Sequence, residues 1–262
     1  MNQMVLTEID ARGIARIALN RPELHNAIDD ELIADLTEAL KRVEHDARVR
    51  VVVLTGKGKS FCAGGDLNWM KRTAGYSMAE NQRDALSLAR MLHTLNFLAK
   101  PTLALVQGPA YGGGVGMVAC CDIVIAATSV KFTLSEARLG LVPATISPYV
   151  VAAIGARASR RYFLSAEIFD AGEAHRLGLV HKVVDPSQLE AAGAAMIDRL
   201  FEGGPGAQAL SKELIFRVAD QPITDALEDY TARKIAEARA SAEGREGIAA
   251  FLEKRLPSWR SK

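Results

Sequence analysis

Two glycine-rich turns and one carboxylate are the parts of this sequence best suited to chemistry. The first turn lies in FCAGGDLNWM, residues 61–70, and the second in QGPAYGGGVGMVACC, residues 107–121. Each follows a short apolar run that reads as a buried strand. Glycine lets another atom come close to the backbone. The second turn also opens a small-residue helix, predicted over 115–121, whose first N–H groups have no partner within the helix and carry partial positive charge. Such donors suit an oxygen that gains negative charge as a carbonyl becomes an enolate. Downstream, Ser135 and Glu136 open a further short helical turn, and Glu136 is the obvious proton carrier. The triple glycine at 112–114 taken alone reads better as a tight turn before a closely packed helix, and other stretches have to decide it. It is not a P-loop, because no Lys-Ser/Thr follows it. The GKGKS loop at 56–60 fails the same test: Val53 stands where a Walker loop needs glycine.

These groups need a scaffold, and the hydropathy pattern supplies one. Strands are predicted over 5–9 and 14–19 as a hairpin, then over 51–54, 102–106, 123–126 and 130–134. Asp29 is a candidate N-cap for a helix whose apolar stripe is Leu32, Ile33, Leu36, Leu40 and Val43. A second helix is predicted over 78–98. Alternating strand, loop and helix imply an α/β fold with parallel strands and right-handed crossovers. Two glycine elbows at the carboxyl ends of neighbouring parallel strands can converge on one point outside the sheet. After Pro148 the chain reads as mostly helical, with amphipathic helices over 189–200, 207–218 and 223–242. Their stripes need a partner surface, as a lid or a subunit contact would provide.

Composition narrows the function classes. The 262 residues carry 32 basic and 31 acidic side chains, a formal net charge of +1, which favours neither nucleic acid nor a membrane surface as partner. The opening MNQMVLTEID has no basic and apolar leader pattern, and three cysteines without metal-ligand spacing suit a reduced, cytoplasmic protein. His45, His93, His175 and His181 show no paired spacing, so no metal is expected. No G-x-S-x-G elbow supports a hydrolase triad.

Four ordered stretches, LNRPELHNAI, FCAGGDL, GPAYGGGVGM and SEARLGLVP, resemble the crotonase, or enoyl-CoA hydratase/isomerase, superfamily over nearly the whole chain. GGDLNWMKR and LVPATISPYVV are most similar to its bacterial 3-methylglutaconyl-CoA hydratase branch. The resemblance implies a crotonase-like spiral of ββα turns over residues 1–200 and a C-terminal helical trimerisation region over 201–262, as a homotrimer or dimer of trimers. It implies a coenzyme A thioester as substrate, no separate cofactor, and a place in fatty acid or leucine catabolism. Carried over by position, the backbone N–H groups of Gly65 and Gly113 hold the thioester oxygen and Glu136 handles the α-proton. Leu24, His25, Ala63, Asp66 and Leu67 lie along the bound substrate.

The sequence departs from the superfamily at one place. Typical hydratases carry a first glutamate just after the triple glycine, and here that position is Gly116. Glu136 is then the single acid/base, and water is held by Glu136 itself or by a hydroxyl such as Tyr111, Thr145, Ser147 or Tyr149. A Δ3/Δ2-enoyl-CoA isomerase working with one glutamate is the rival within the superfamily. A catalytically silent interaction or RNA-binding homologue is the rival from another class. For an acidic acyl group, Lys71, Arg72 and Arg138 are the candidate cations.

Overall fold

The computed structural model describes residues 3–260. Its sheet grows by the predicted alternation. Strands β1 (Val5–Ile9) and β2 (Ile14–Leu19) form the antiparallel hairpin, and β3 (Val51–Gly56) and β4 (Thr102–Val106) add to it in parallel. Next come β6 (Ile123–Ala127) and β9 (Lys182–Val184), giving six strands in the order β1-β2-β3-β4-β6-β9. A second, three-stranded sheet joins β5 (Ala110–Tyr111), β7 (Lys131–Thr133) and β8 (Phe169–Asp170). Strands β5, β8 and β9 were not expected: each spans two or three residues with no longer alternating stretch around it, unlike β7.

Helix α1 (Asp30–His45) begins where the cap residue predicts: the Asp29 carboxylate accepts from the Leu32 N–H at 2.9 Å. Such a cap is worth about 1 kcal/mol. All five residues of the predicted stripe are buried in the main core, together with Leu88, Met91, Leu92 and Leu95 of α3 (Met78–Asn96). Burying each leucine contributes about 1.5–3 kcal/mol relative to an exposed one. On the other face of the large sheet, α7 (Leu189–Glu202) packs Leu189 and Ile197 against Leu103, Leu105 and Ile125.

The helical tail differs in detail from the sequence expectation. The 200/201 boundary falls inside α7, which belongs with the sheet. The single helix expected over 223–242 is instead α9 (Asp225–Ala240) followed by α10 (Ala242–Leu252). The break has a local cause: Ser241 is extended and its hydroxyl accepts from the Gly244 N–H at 2.9 Å, capping α10. With α8 (Pro205–Val218), these helices bury one side chain among the three, Ala250. The tail is fixed to the core by Lys212, whose ammonium lies 2.8 Å from Asp122, and by the Phe97 and Phe216 rings, 4.7 Å apart.

Candidate active site

The two elbows meet, and Glu136 meets them. The first follows β3. There Ile28 pairs in parallel with Gly65: the Ile28 N–H donates to Gly64 O at 2.7 Å, and the Asp66 N–H donates to Ile28 O at 2.8 Å. In a parallel pair the residue between those two bonds turns its own N–H to the opposite side. Gly65 is exposed there, and its N–H has no acceptor among the described residues. Asp66 then caps α2 (Leu67–Thr73), accepting from Asn68 N–H at 2.8 Å and Trp69 N–H at 3.1 Å.

The second elbow is tighter than the sequence suggests. Gly112 is the left-handed turn residue (φ 49°), and α4 (Gly113–Cys120) starts at once. The other two glycines therefore belong to the first helical turn, two residues earlier than the predicted start. Gly113 is the first helical residue, so its N–H has no intrahelical acceptor. The elbows abut: a methyl built on Gly64 would lie 3.4 Å from Tyr111 O, and one on Gly112 would lie 3.9 Å from Gly64 Cα.

Strand β7 brings the carboxylate to this junction. It pairs with β5 (Tyr111 opposite Thr133), and the Gly112 N–H donates to Thr133 O at 2.9 Å. Three residues later Glu136 opens a 3-10 turn, Glu136–Leu139, that Gly140 closes in the left-handed region. Its Oε1 would lie 3.1 Å from a methyl on Gly112, so the carboxylate sits directly against the elbow. Its Oε2 is buried and, among the described residues, receives no hydrogen bond. Burial raises the Glu136 pKa above 4.5, partly opposed by its own backbone N–H. A carboxylate of raised pKa therefore stands at a junction where two N–H donors, those of Gly65 and Gly113, have no acceptor among the described residues. That arrangement can stabilise an enolate oxygen while moving a proton at the neighbouring carbon.

The sequence profile of the enoyl-CoA hydratase/isomerase family matches residues 10–262. The chain belongs to this family of enzymes. An enoyl-CoA hydratase structure from Shewanella pealeana superposes with a TM-score of 0.95 at 41% identity, covering 98% of this chain and 96% of that one. A short-chain-enoyl-CoA hydratase of Clostridium acetobutylicum is 31% identical over 244 residues, 92% of each chain. The 1,2-epoxyphenylacetyl-CoA isomerase of Escherichia coli is 33% identical across the full length of both. The fold is thus the crotonase-like α/β fold, in a family whose members include hydratases and isomerases.

The remaining candidate residues of this hydratase/isomerase-family chain fall around the first elbow. Leu24 and His25 are exposed in the loop before α1. His25 is left-handed (φ 53°), its Nδ1 3.0 Å from Ser60 Oγ, and its carbonyl accepts from Ala63 N–H at 3.0 Å. Ala63 is half-buried and Leu67 exposed. Asp66 differs from these: it is buried, its carboxylate capping α2 and paired with Arg21 at 3.3 Å. Trp69 walls the elbow, lying 3.5 Å from a methyl on Gly65, with its indole N–H held by Asp84 at 3.0 Å. Of the three candidate cations, Arg72 is paired with Asp30, while Lys71 and Arg138 are exposed. Burial pushes the Cys62 thiol up to about 12, which keeps it protonated and unsuited to nucleophilic attack.

Gly116 does not leave an opening. A methyl there would lie 2.2 Å from Ile146 Cγ2, so the space that a first glutamate would enter is filled by Ile146. Ile146 was not singled out by the sequence, and neither was Arg21. The Arg21 guanidinium is buried and reaches Ala27 O at 2.7 Å, Asp29 at 2.8 Å and Asp66 at 3.3 Å. The only sequence signal for Arg21 was its place in LNRPELHNAI. Among the described residues no cluster of three or more His, Cys, Asp or Glu side chains could hold a metal, and no helix is long and apolar enough to cross a membrane.

Proposed function

We propose that the chain adds water across the 2,3 double bond of an enoyl-CoA thioester, with 3-methylglutaconyl-CoA or a related branched, acidic acyl group as substrate. The observation that carries this reading is the Glu136 carboxylate: one oxygen lies against Gly112, where the two elbows abut, and the other is buried without a partner among the described residues. The thioester oxygen accepts from both N–H donors and takes up charge as water adds at C3. Glu136 receives a proton from that water and returns it to C2, so one carboxylate serves both transfers. Coenzyme A enters as part of the substrate, and the reaction calls for no metal or redox group. Leu24, His25, Ala63, Asp66 and Leu67 lie along its approach, Asp66 holding the turn from below. Lys71, Arg72 and Arg138 are the cations offered to a distal carboxylate. The three free, buried cysteines suit a reduced cytoplasmic setting. The sparsely buried tail, with Phe251 and Leu252 exposed, suits assembly into a trimer or dimer of trimers.

A second reading has its own observation. With Ile146 filling the space beside Gly116, Glu136 is the lone carboxylate, and a lone base suffices to take the C2 proton of a 3-enoyl thioester and return it at C4. Absorbance of the conjugated thioester separates the two. Loss of absorbance with 3-methylglutaconyl-CoA, exceeding that with crotonyl-CoA and abolished by Glu136→Gln, supports hydration. A gain with a 3-enoyl-CoA alone makes it an isomerase. Silence on all three, with no coenzyme A bound, refutes both and points to an interaction protein. Alanine at all three cations should erase the preference for the acidic substrate; unchanged discrimination rules out their role.

A further inference from the structure

Ile28 touches both halves of the donor pair. Its backbone forms the two hydrogen bonds that flank Gly65, to Gly64 O at 2.7 Å and from Asp66 N–H at 2.8 Å. Its side chain reaches the other elbow, where Cδ1 would lie 2.6 Å from a methyl on Gly113. The residue is 1% exposed and packed into the main core. Its backbone is itself gripped on each side: Arg21 holds the Ala27 carbonyl and the Asp29 carboxylate, and the same guanidinium holds Asp66 beyond Gly65. We propose that Ile28 is the spacer that sets the separation of the Gly65 and Gly113 N–H donors, with Arg21 as the anchor that keeps it in register.

This rests on the Gly65 and Gly113 roles proposed above. Ile28 is a positioning residue in this account: it reaches the substrate oxygen only through the two glycines. A hydrogen-bonded backbone contact on one side and a methyl contact on the other fix a distance in a way that neither elbow can alone. Donors must lie 2.7–3.1 Å from the oxyanion position to act, so a shift of about 1 Å matters.

The test is Ile28→Val, which removes the contacting methyl, beside Ile28→Leu, which retains a δ-methyl. Turnover is measured on the enoyl-CoA that wild type consumes. Carbon-13-edited infrared reports the carbonyl stretch of bound butyryl-CoA, a saturated thioester that cannot react. For Ile28→Val we expect kcat to fall about tenfold or more. KM should change little, and the bound carbonyl stretch should return toward its value in free thioester. Ile28→Leu should recover most of both. A kcat that falls only with the folded fraction seen by circular dichroism, with an unmoved carbonyl stretch, makes Ile28 a packing residue and overturns the proposal. A wild type that neither turns over an enoyl-CoA nor binds butyryl-CoA refutes the proposed function, and the spacer role with it.

Discussion

Gly113→Ala puts the donor geometry under direct load. Gly113 has no positive φ, so alanine meets no backbone strain there, and the helix gains up to about 1 kcal/mol of propensity over glycine. The load is steric. The new methyl would lie 2.6 Å from Ile28 Cδ1, whereas an unstrained carbon contact needs about 3.5–4.0 Å. Roughly 1 Å must be found, and Ile28 is buried and hydrogen-bonded on both sides of the first elbow. Overpacking of this kind costs about 1–3 kcal/mol, partly offset by the helix propensity, so the variant should fold. Moving the Gly113 N–H by a distance of that order should cost about 10²-fold in kcat, or about 2.7 kcal/mol of transition-state stabilisation. That lies at the lower edge of what losing one donor outright costs. KM should hold, because the loss falls on the charge that develops after binding. Adding Ile28→Val removes the opposing methyl, so the double variant should regain at least about tenfold over Gly113→Ala even though each single change is harmful. The assay is the decay of conjugated-thioester absorbance, analysed as a double-mutant cycle. Wild-type turnover by Gly113→Ala, or a double variant no faster than that single variant, would refute the reasoning.

Three further outcomes follow from the same contacts. Glu136→Gln should abolish turnover yet stabilise the fold at neutral pH. Its folded pKa lies above 4.5, so the wild-type stability associated with the protonated carboxyl is present below about 4.5 and lost as pH rises through the folded value. Melting curves from pH 4 to 8 check the sign, and the ascending limb of the wild-type pH–rate profile should lie above the ordinary carboxylate range. Gly116→Glu should fold poorly, because its Cβ would lie 2.2 Å from Ile146 Cγ2; Ile146→Gly added to it should restore the melting temperature. If Gly116→Glu alone folds like wild type, Ile146 does not block that position. Arg21→Met leaves the buried Asp29 and Asp66 carboxylates without their cation and should cost about 3–5 kcal/mol by denaturant unfolding. Arg21→Lys should recover only part of this, since one ammonium cannot span Ala27 O and both carboxylates.

What could be read from the sequence was what repeats or punctuates. The α1 stripe, the Asp29 cap and the strands leading into both elbows leave marks at fixed spacings, and all stand where those marks put them. Glu136 stood out as a carboxylate opening a short helical turn after a strand, and the fold puts that carboxylate against the second elbow. The missed features are contacts between residues far apart in sequence that have no period. Arg21 looks like one surface cation among 32 basic residues until the fold closes Asp66 onto it from 45 positions away. Ile28 looks like one more apolar residue at a helix approach, yet its backbone serves one elbow and its δ-methyl the other. Gly116 is the clearest case. The missing glutamate was visible as a letter, but not that Ile146, thirty positions on, occupies the space. The vacancy implied by the sequence is a packed contact in the fold. Under the proposed function, water and proton chemistry is therefore organised from the Glu136 side, where Oε2 is buried and receives no hydrogen bond among the described residues.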